Sequence, residues 1–179
     1  QRLGFHFLDS GTLYRLSAFA ATRAGVDLDD GEGVARVART LPVRFAGDLI
    51  FLANEDVSAA ISTEAAGMAA SRVSAHPEVR TALLALQRGF RQLPGLVADG
   101  RDMGTVVFPD APLKIYLTAS ALHRAERRYK QLISKGNTTT IAATQLNLES
   151  RDARDMSRYA APLKPAKNAR LLDNSALSI

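Results

Sequence analysis

The sequence predicts an α/β fold in which a mostly parallel β-sheet is flanked by α-helices on both faces. Short apolar runs alternate along the chain with longer segments in which apolar residues recur at helical spacing. Strands that alternate with helices are typical of a parallel sheet, because each strand connects to the next through a helix. Three of the apolar runs end in polar residues at their C-terminal side, which is where ligands bind in such sheets.

The first predicted strand covers residues 5–8 and leads directly into a helix. Apolar residues at helical spacing indicate that helix, namely Leu13, Leu16 and Ala20. Either Asp9 or Ser10 can cap it, since both residue types accept hydrogen bonds from the first N–H groups of a helix.

A smaller substructure is predicted between residues 42 and 61. Apolar residues there surround a turn sequence, A-G-D at residues 46–48, which is typical of an antiparallel hairpin or meander. A helix then begins at Pro77, where proline suits the first turn, and is predicted to end at the Pro-Gly pair of residues 94–95. Its predicted apolar face consists of Val79, Leu83, Leu86 and Phe90.

Three further strands are predicted at residues 96–98, 113–117 and 170–173. A long helical pattern covers residues 119–135, and a K-G-N turn at residues 135–137 follows it. Arginines recur at helical spacing on both sides of this turn, which predicts a helical hairpin able to fold over a ligand.

The composition excludes several classes of protein. The chain has 179 residues, of which 46% are hydrophobic and 23% charged, as in globular domains. It has no cysteine, which excludes a disulfide scaffold, a thiol nucleophile and a cysteine-bearing zinc site. No apolar run approaches the roughly 20 residues of a membrane span, and no signal-like segment opens the chain. We therefore predict an intracellular, cytoplasmic protein that does not bind membranes.

The positive charge is concentrated near the C-terminus. The net charge is +5, but residues 123–170 contain eleven Lys and Arg against four Asp and Glu, a local charge of +7, and the rest of the chain carries −2. Such a segment attracts anions, either a nucleic acid, an anionic membrane or the phosphates of a small ligand. The alternative is a solvated helix surface without a ligand.

Acidic residues follow two of the predicted strands. D-S-G occupies residues 9–11 and D-G-R-D residues 99–102. Carboxylates at the C-terminal ends of parallel strands can hold hydrated Mg²⁺ or accept hydrogen bonds from a base or ribose. The alternative for Asp9 is that it only caps the next helix. The segment at residues 99–105 combines two glycines, an arginine and two aspartates, which a structural turn rarely needs.

Arginines recur at helical spacing in two places. Arg151, Arg154, Asp155 and Arg158 lie at i, i+3, i+4 and i+7, which places them on one face of a helix. Three guanidinium groups together favour an anion, and the planar fork of arginine suits phosphate. A second cluster has the same spacing and is predicted to contact a second phosphate group, and it consists of Arg124, Arg127 and Arg128.

Four segments resemble the bacterial cytidylate kinase family, in the family's order and over essentially the whole chain. They are D-S-G-T-L-Y-R at residues 9–15, A-S-R-V-S-A-H-P-E-V-R at 70–80, A-D-G-R-D-M-G-T-V-V-F-P-D-A at 98–111 and the Arg/Asp-rich residues 151–158. The resemblance implies a P-loop-kinase-like parallel sheet flanked by helices, with an inserted antiparallel subdomain that binds the nucleoside monophosphate (NMP) and a helical lid. The implied single kinase domain divides into a core at residues 1–40 and 80–122, the NMP-binding subdomain at 41–79, the lid region at 123–158 and a return to the core at 159–179.

The activity that the resemblance implies is transfer of the γ-phosphoryl group of ATP to CMP or dCMP, with Mg²⁺ bound to ATP as co-substrate. Positioning and charge neutralisation supply most of the rate in such transfers. The implied partners are these nucleotides and not nucleic acid, and we expect a monomer.

The resemblance also implies roles for individual residues. Ser71, Arg80 and Asp102 read the cytosine edge, since a carboxylate accepts from the N4 amino group of cytosine and repels the carbonyl oxygen of uracil. The acceptor monophosphate is held by Arg15, Arg101 and Arg151, with Ser10 at the entrance to that pocket.

The remaining implied roles concern the sugar, ATP and the metal ion. Asp155 contacts the sugar and Arg158 the transferring phosphoryl group, so that Arg151, Arg158 and Arg128 form the catalytic set. In the lid, Arg124 stacks on ATP and Arg128 contacts its phosphates. Asp99 orients Mg²⁺ through water.

The 179 residues contain no G-x-x-x-x-G-K-S/T sequence, the P-loop whose backbone N–H groups cradle the ATP phosphates. Residues 1–4 read like the end of a helix and residues 173–175 like the start of another, so we predict a portion of a longer gene product that is inactive by itself. Two alternatives to the CMP kinase remain. One is a non-catalytic phosphate- or nucleic-acid-binding domain, and the other is a related kinase for a different monophosphate.

Overall fold

The computed structural model describes residues 3–47, 49–134 and 136–177. They form a mixed α/β structure with parallel strand pairs, flanking helices and a small antiparallel sheet, so the predicted fold class is confirmed. The chain divides into two compact units, the first ending at Gly100 and the second beginning at Arg101. Within the described ranges, no helix is long and apolar enough to cross a membrane.

The first unit contains ten regular elements among its described residues. They are β1 (His6–Asp9), α1 (Ser10–Arg23), α2 (Gly31–Arg39), β2 (Val43–Ala46), β3 (Leu49–Leu52), β4 (Glu55–Asp56), α3 (Ser58–Ile61), α4 (Glu64–Val73), α5 (Pro77–Gly89) and β5 (Leu96–Asp99).

Strands β1 and β5 pair in parallel and end at the same level. Their register runs from His6 opposite Leu96 to Asp9 opposite Asp99. Helix α1 begins directly after β1 because the Asp9 carboxylate accepts hydrogen bonds from the Thr12 N–H at 3.4 Å and the Thr12 hydroxyl at 2.9 Å. Of the two predicted caps, Asp9 is therefore the one used.

The core of the first unit lies between helices. Helix α1 packs against α4, and α2 packs against α5. Helix α5 begins at Pro77 as predicted, but it ends at Gly89, before the Pro-Gly pair. Its buried positions are Val79, Leu83 and Gln87, whereas Leu86 and Phe90 are half-buried. The buried residues follow one another at a spacing of four, so the third buried position of the helix is Gln87 and not Leu86.

The predicted meander at residues 42–61 is confirmed as an antiparallel sheet of order β2-β3-β4. Val43 pairs with Leu52, and Phe51 with Asp56. Residues 58–61 form the short helix α3 instead of a further strand. Of the predicted turn at residues 46–48, Asp48 lies outside the described residues.

The second unit contains a π-helix (Met103–Val107), β6 (Ile115–Thr118), α6 (Ala121–Ser134), α7 (Ile141–Ser157) and β7 (Arg170–Asp173). Strands β6 and β7 pair in parallel, with Ile115 opposite Arg170, and helices α6 and α7 pack together as the predicted hairpin. Of the predicted K-G-N turn, Lys135 lies outside the described residues, as do residues 1–2 of the predicted N-terminal helix end.

Candidate active site

Two aspartates lie side by side at the C-terminal ends of the parallel strands β1 and β5. Both lie at strand ends, as the sequence predicts, and the register pairs Asp9 with Asp99. Asp9 is engaged as the cap of α1, whereas the Asp99 side chain is exposed. In the part of the chain that the structure describes, no group of three or more His, Asp or Glu side chains could hold a metal ion. The C-terminal ends of β1 and β5 therefore present carboxylate oxygens, but too few to enclose a metal ion with protein ligands among the described residues.

Arg15 connects α1 to the segment between α3 and α4. One terminal nitrogen, NH1, donates to the carbonyl oxygens of Ile61 at 2.8 Å and Thr63 at 3.1 Å. Ser10, the first residue of α1, is buried. The first unit thus fixes both predicted phosphate-site residues of this helix, Arg15 through backbone hydrogen bonds and Ser10 through burial.

Ser71 and Arg80 are brought together at the junction of α4 and α5. The Ser74 hydroxyl donates to the Ser71 carbonyl at 3.0 Å, and Arg80 NH1 donates to the Ser74 carbonyl at 3.0 Å. The Arg80 guanidinium also lies 5.5 Å from the centre of the Tyr14 ring, within the range of a cation–π interaction. Two residues that the sequence assigns to one base therefore share a single junction.

The segment that begins the second unit forms a π-helix, an element that the sequence does not predict. Asp102 precedes it and is only 4% exposed. Its carbonyl oxygen accepts from the N–H groups of Thr105 at 3.3 Å, Val106 at 2.9 Å and Val107 at 3.3 Å. Several N–H groups converge on one carbonyl because of the wider helical winding, a geometry found often at functional sites.

Five charged side chains of the second unit form what we call the arginine–aspartate network. Arg101 donates from Nε to Asp155 at 3.0 Å, and its NH2 lies 3.5 Å from Asp152. Arg124 is paired with Asp152, and Arg158 NH1 lies 3.3 Å from Asp155. The members are Arg101, Arg124, Asp152, Asp155 and Arg158.

The predicted four-residue arginine face on one helix is only partly correct. Helix α7 ends at Ser157, and Arg158 is its extended C-cap with φ −63° and ψ 141°. The chain turns back there because the Leu163 N–H donates to the Asp155 carbonyl at 2.8 Å. Arg158 is 8% exposed and donates from Nε to the Ala161 carbonyl at 2.8 Å. It therefore reaches Asp155 from beyond the helix.

Sequence reasoning missed Asp152. The predicted face balanced three arginines against Asp155, whereas the structure adds a second buried carboxylate one turn earlier. The signal was present, because residues 152 and 155 have the i, i+3 spacing that shares a helix face. With two carboxylates facing three guanidinium groups, the network has a formal charge of +1.

The second arginine cluster is divided between different neighbours. Arg124 faces Asp152, whereas Arg127 donates from NH2 to the backbone carbonyls of Asn174, Ser175 and, at 3.0 Å, Leu177. Arg128 is half-buried on the same helix. Arg127 therefore holds the segment after β7, and the second phosphate contact of this cluster stays a prediction.

A family model described as cytidylate kinase matches residues 1–179 of the chain. The chain belongs to the cytidylate kinase family. The family that the motifs suggested is thereby confirmed, and membership makes the chain a kinase, a transferase that acts on nucleotides.

Curated cytidylate kinases of several bacteria are similar to the chain over nearly its whole length. The protein of Cupriavidus necator is 57% identical over 177 residues, which cover 99% of this chain and 80% of the relative. That of Stutzerimonas stutzeri is 55% identical over 184 residues, with the same two coverages. That of Polynucleobacter asymbioticus is 52% identical over 179 residues, covering 100% of this chain and 81% of the relative.

Proposed function

We propose that the residues of this chain bind CMP and dCMP and align them for transfer of the γ-phosphoryl group of ATP. Its relatives are named cytidylate kinase, which supports CMP as the acceptor. The observation that carries the proposal is the geometry of Arg101. Its side chain is 43% exposed, and the edge formed by Nε and NH2 faces two carboxylates. The outer edge, formed by NH1 and NH2, suits a bidentate contact with a phosphate group.

We propose that cytosine is recognised through Ser71, Arg80 and Asp102. The Arg80 guanidinium is supported by Tyr14 and by the Ser74 carbonyl, which favours a defined orientation of its plane. Asp102 is suited to accept from the N4 amino group, because uracil presents a carbonyl oxygen there. Burial of Asp102 strengthens this selection, since a buried carboxylate facing a carbonyl oxygen is costly.

The acceptor phosphate is assigned to Arg15, Arg101 and Arg151, with Ser10 at the entrance. The backbone contacts of Arg15 orient its guanidinium, which reduces the entropy lost when it binds phosphate. Asp155 is assigned to the sugar and Arg158 to the transferring phosphoryl group.

ATP is assigned to the lid helix α6, through Arg124 by stacking and Arg128 by phosphate contact. The residues at the strand ends fit a magnesium ion held through water, because Mg²⁺ keeps several waters and needs only one or two carboxylates beside phosphate oxygens. Asp99 would hold it, and the ion would neutralise charge on the phosphates. The protein residues bind and align the nucleotides for in-line transfer, for which no strong general base is required.

We further propose that a polypeptide of only these 179 residues binds CMP but transfers phosphoryl groups poorly. It lacks a G-x-x-x-x-G-K-S/T sequence, and therefore the N–H groups that cradle ATP phosphates in P-loop proteins.

The test is a thermal-shift titration of the chain with CMP, dCMP, UMP and AMP. A ligand at one hundred times its dissociation constant adds about 2.7 kcal/mol to the free energy of unfolding. We expect stabilisation by CMP and dCMP and little by UMP or AMP, and Asp102→Ala should remove that preference. Asp110→Ala, the same change at an exposed residue of the second unit, should leave it intact. Equal shifts with all four nucleotides, or none with a folded protein, would contradict the proposal.

A further inference from the structure

One member of the arginine–aspartate network has no role in the proposed function. Asp152 lies on α7, one turn before Asp155, and is 9% exposed. A carboxylate this buried is costly unless it is paired, and Asp152 is paired with two arginines. We propose that Asp152 is a positioning residue that orients Arg101 toward the phosphate group of the nucleotide acceptor. The inference rests on the proposed function.

The geometry of Arg101 supports this role. Nε and NH2 lie on the same edge of the planar guanidinium, and they meet Asp155 at 3.0 Å and Asp152 at 3.5 Å. One contact leaves the plane free to rotate about the Nε bond, whereas contacts at two nitrogens fix it. NH1, on the other side, has no hydrogen-bond partner within the described ranges of the chain. Asp152 therefore decides in which direction the outer edge points.

The carboxylate of Asp152 is itself held in place. Its Oδ1 faces Arg101 and its Oδ2 accepts from Arg124 NH1, so each oxygen serves one arginine. Arg124 depends on this pairing, since its Nε is buried without a hydrogen-bond partner among the described residues. Asp152 thus connects α6 to the segment that follows Gly100 and fixes both arginines relative to α7.

Charge and position make opposite predictions for the loss of this carboxylate. Removing one negative charge raises the formal charge of the network from +1 to +2, which by itself would strengthen phosphate binding. Loss of the second anchor leaves Arg101 mobile, which weakens a bidentate contact. We expect the positional effect to win, because the remaining network charge is exposed to solvent at Arg101 and is screened.

The experiment compares CMP with cytidine, which lacks the phosphate, in binding titrations of the wild type and of Asp152→Asn. We expect the CMP dissociation constant to rise about tenfold and the cytidine constant to stay within twofold, since the base contacts are unchanged. The control is Glu149→Gln, which removes the same charge from an exposed position one turn earlier on α7, where the Glu149 carboxylate accepts a hydrogen bond from Gln145 at 2.8 Å. It should leave both constants unchanged.

A second variant guards against a failure to fold. Asp152→Asn combined with Arg124→Gln removes both charges of this ion pair, so that the loss of one charge does not leave its partner unpaired, and it keeps the network at +1. The same selective loss of CMP affinity is expected. A folded variant with unchanged or stronger CMP binding, or with an equal loss for cytidine, overturns the inference. A wild type that binds CMP no better than UMP overturns the proposed function instead.

Discussion

Gln87 occupies a position in α5 that an apolar residue would be expected to fill. It is 1% exposed, and its side-chain nitrogen Nε2 has no hydrogen-bond partner among the described residues. It continues the buried stripe of Val79 and Leu83 at a spacing of four residues. A buried amide group without a partner costs about 1–3 kcal/mol, so this residue lowers the stability of the first unit.

We therefore predict that Gln87→Met raises the free energy of unfolding by about 1 kcal/mol, because methionine has a similar length without polar groups that need partners. Urea denaturation at neutral pH measures the change. The control is Gln131→Met on α6, where the glutamine is exposed, and its effect should lie within about 0.5 kcal/mol of zero. Equal effects of the two substitutions would show that Gln87 has a partner in solution.

Single residues differ in how well the sequence predicts them. The cap at Asp9 was predictable because it depends on residues three positions away. Gln87 was not, since a hydrophobic pattern assigns apolar side chains to the core and selected Leu86 and Phe90. The contacts of Arg101 were also hidden, because its aspartates lie 51 and 54 residues away and no spacing rule joins them.

At the scale of elements, the end of α6 is defined by backbone hydrogen bonds around Gly136. The Gly136 N–H donates to the Ile133 carbonyl at 2.9 Å and the Asn137 N–H to the Leu132 carbonyl at 3.0 Å, which is the Schellman arrangement. Gly136 has φ +76°, a left-handed conformation that favours glycine. Apart from Gly136 itself and its two chain neighbours, no heavy atom of the described residues lies within 4 Å of the position of a Cβ, so the backbone conformation is what opposes a side chain.

Gly136→Ala should lower the free energy of unfolding by about 1 kcal/mol, because L-residues are strained at positive φ. The matched variant is Gly89→Ala at the end of α5, where the space for a Cβ is also open but the backbone is helical. There alanine should raise the free energy by about 0.5 kcal/mol, since glycine loses more entropy on folding. Thermal denaturation of both variants gives the signs, and the same sign for both would refute the explanation.

The elements themselves were largely predictable, and the exceptions share a cause. All four strands of the parallel pairs and helices α1, α5 and α6 follow from local patterns of apolar residues. The π-helix at Met103–Val107 and the end of α7 at Ser157 could not be predicted in this way, because they depend on backbone hydrogen bonds within the folded unit.

At the scale of the whole molecule, exposed acidic groups in both units are held by local hydrogen bonds. The pKa of Asp29 is lowered by hydrogen bonds from Arg72, and that of Glu55 by hydrogen bonds from Arg23. The pKa values of Asp56 and Asp173 are lowered by Ser58 and Ser175. These groups link the stability of the molecule to pH.

The expected pH dependence follows from the direction of these shifts. A carboxyl whose folded-state pKa lies below its unfolded value stabilises the protein above the unfolded pKa, about 4, and loses that contribution as the pH falls through the folded pKa. The free energy of unfolding should therefore fall as the pH is lowered below about 4, and urea titrations at several acidic pH values measure the decrease. The growing positive charge of a chain that already carries +5 at pH 7 acts in the same direction.

Arg72→Gln separates the two causes of destabilisation by acid, which are the protonation of hydrogen-bonded carboxylates and the growing positive charge of the chain. The Arg72 guanidinium pairs with Asp29 and lies 3.3 Å from Asp27, so its removal returns the pKa of Asp29 toward the unfolded value and flattens the pH dependence. Arg36→Gln serves as the control, because it removes the same charge from a side chain that is 65% exposed and 4.0 Å from its nearest carboxylate, Asp30. If only the net charge mattered, both substitutions would reduce the pH dependence of the free energy of unfolding equally. If the local hydrogen bonds dominate, only Arg72→Gln reduces the slope of the free energy of unfolding against pH. Salt at 1 M should then make the two variants more alike, because these ion pairs are exposed and are screened.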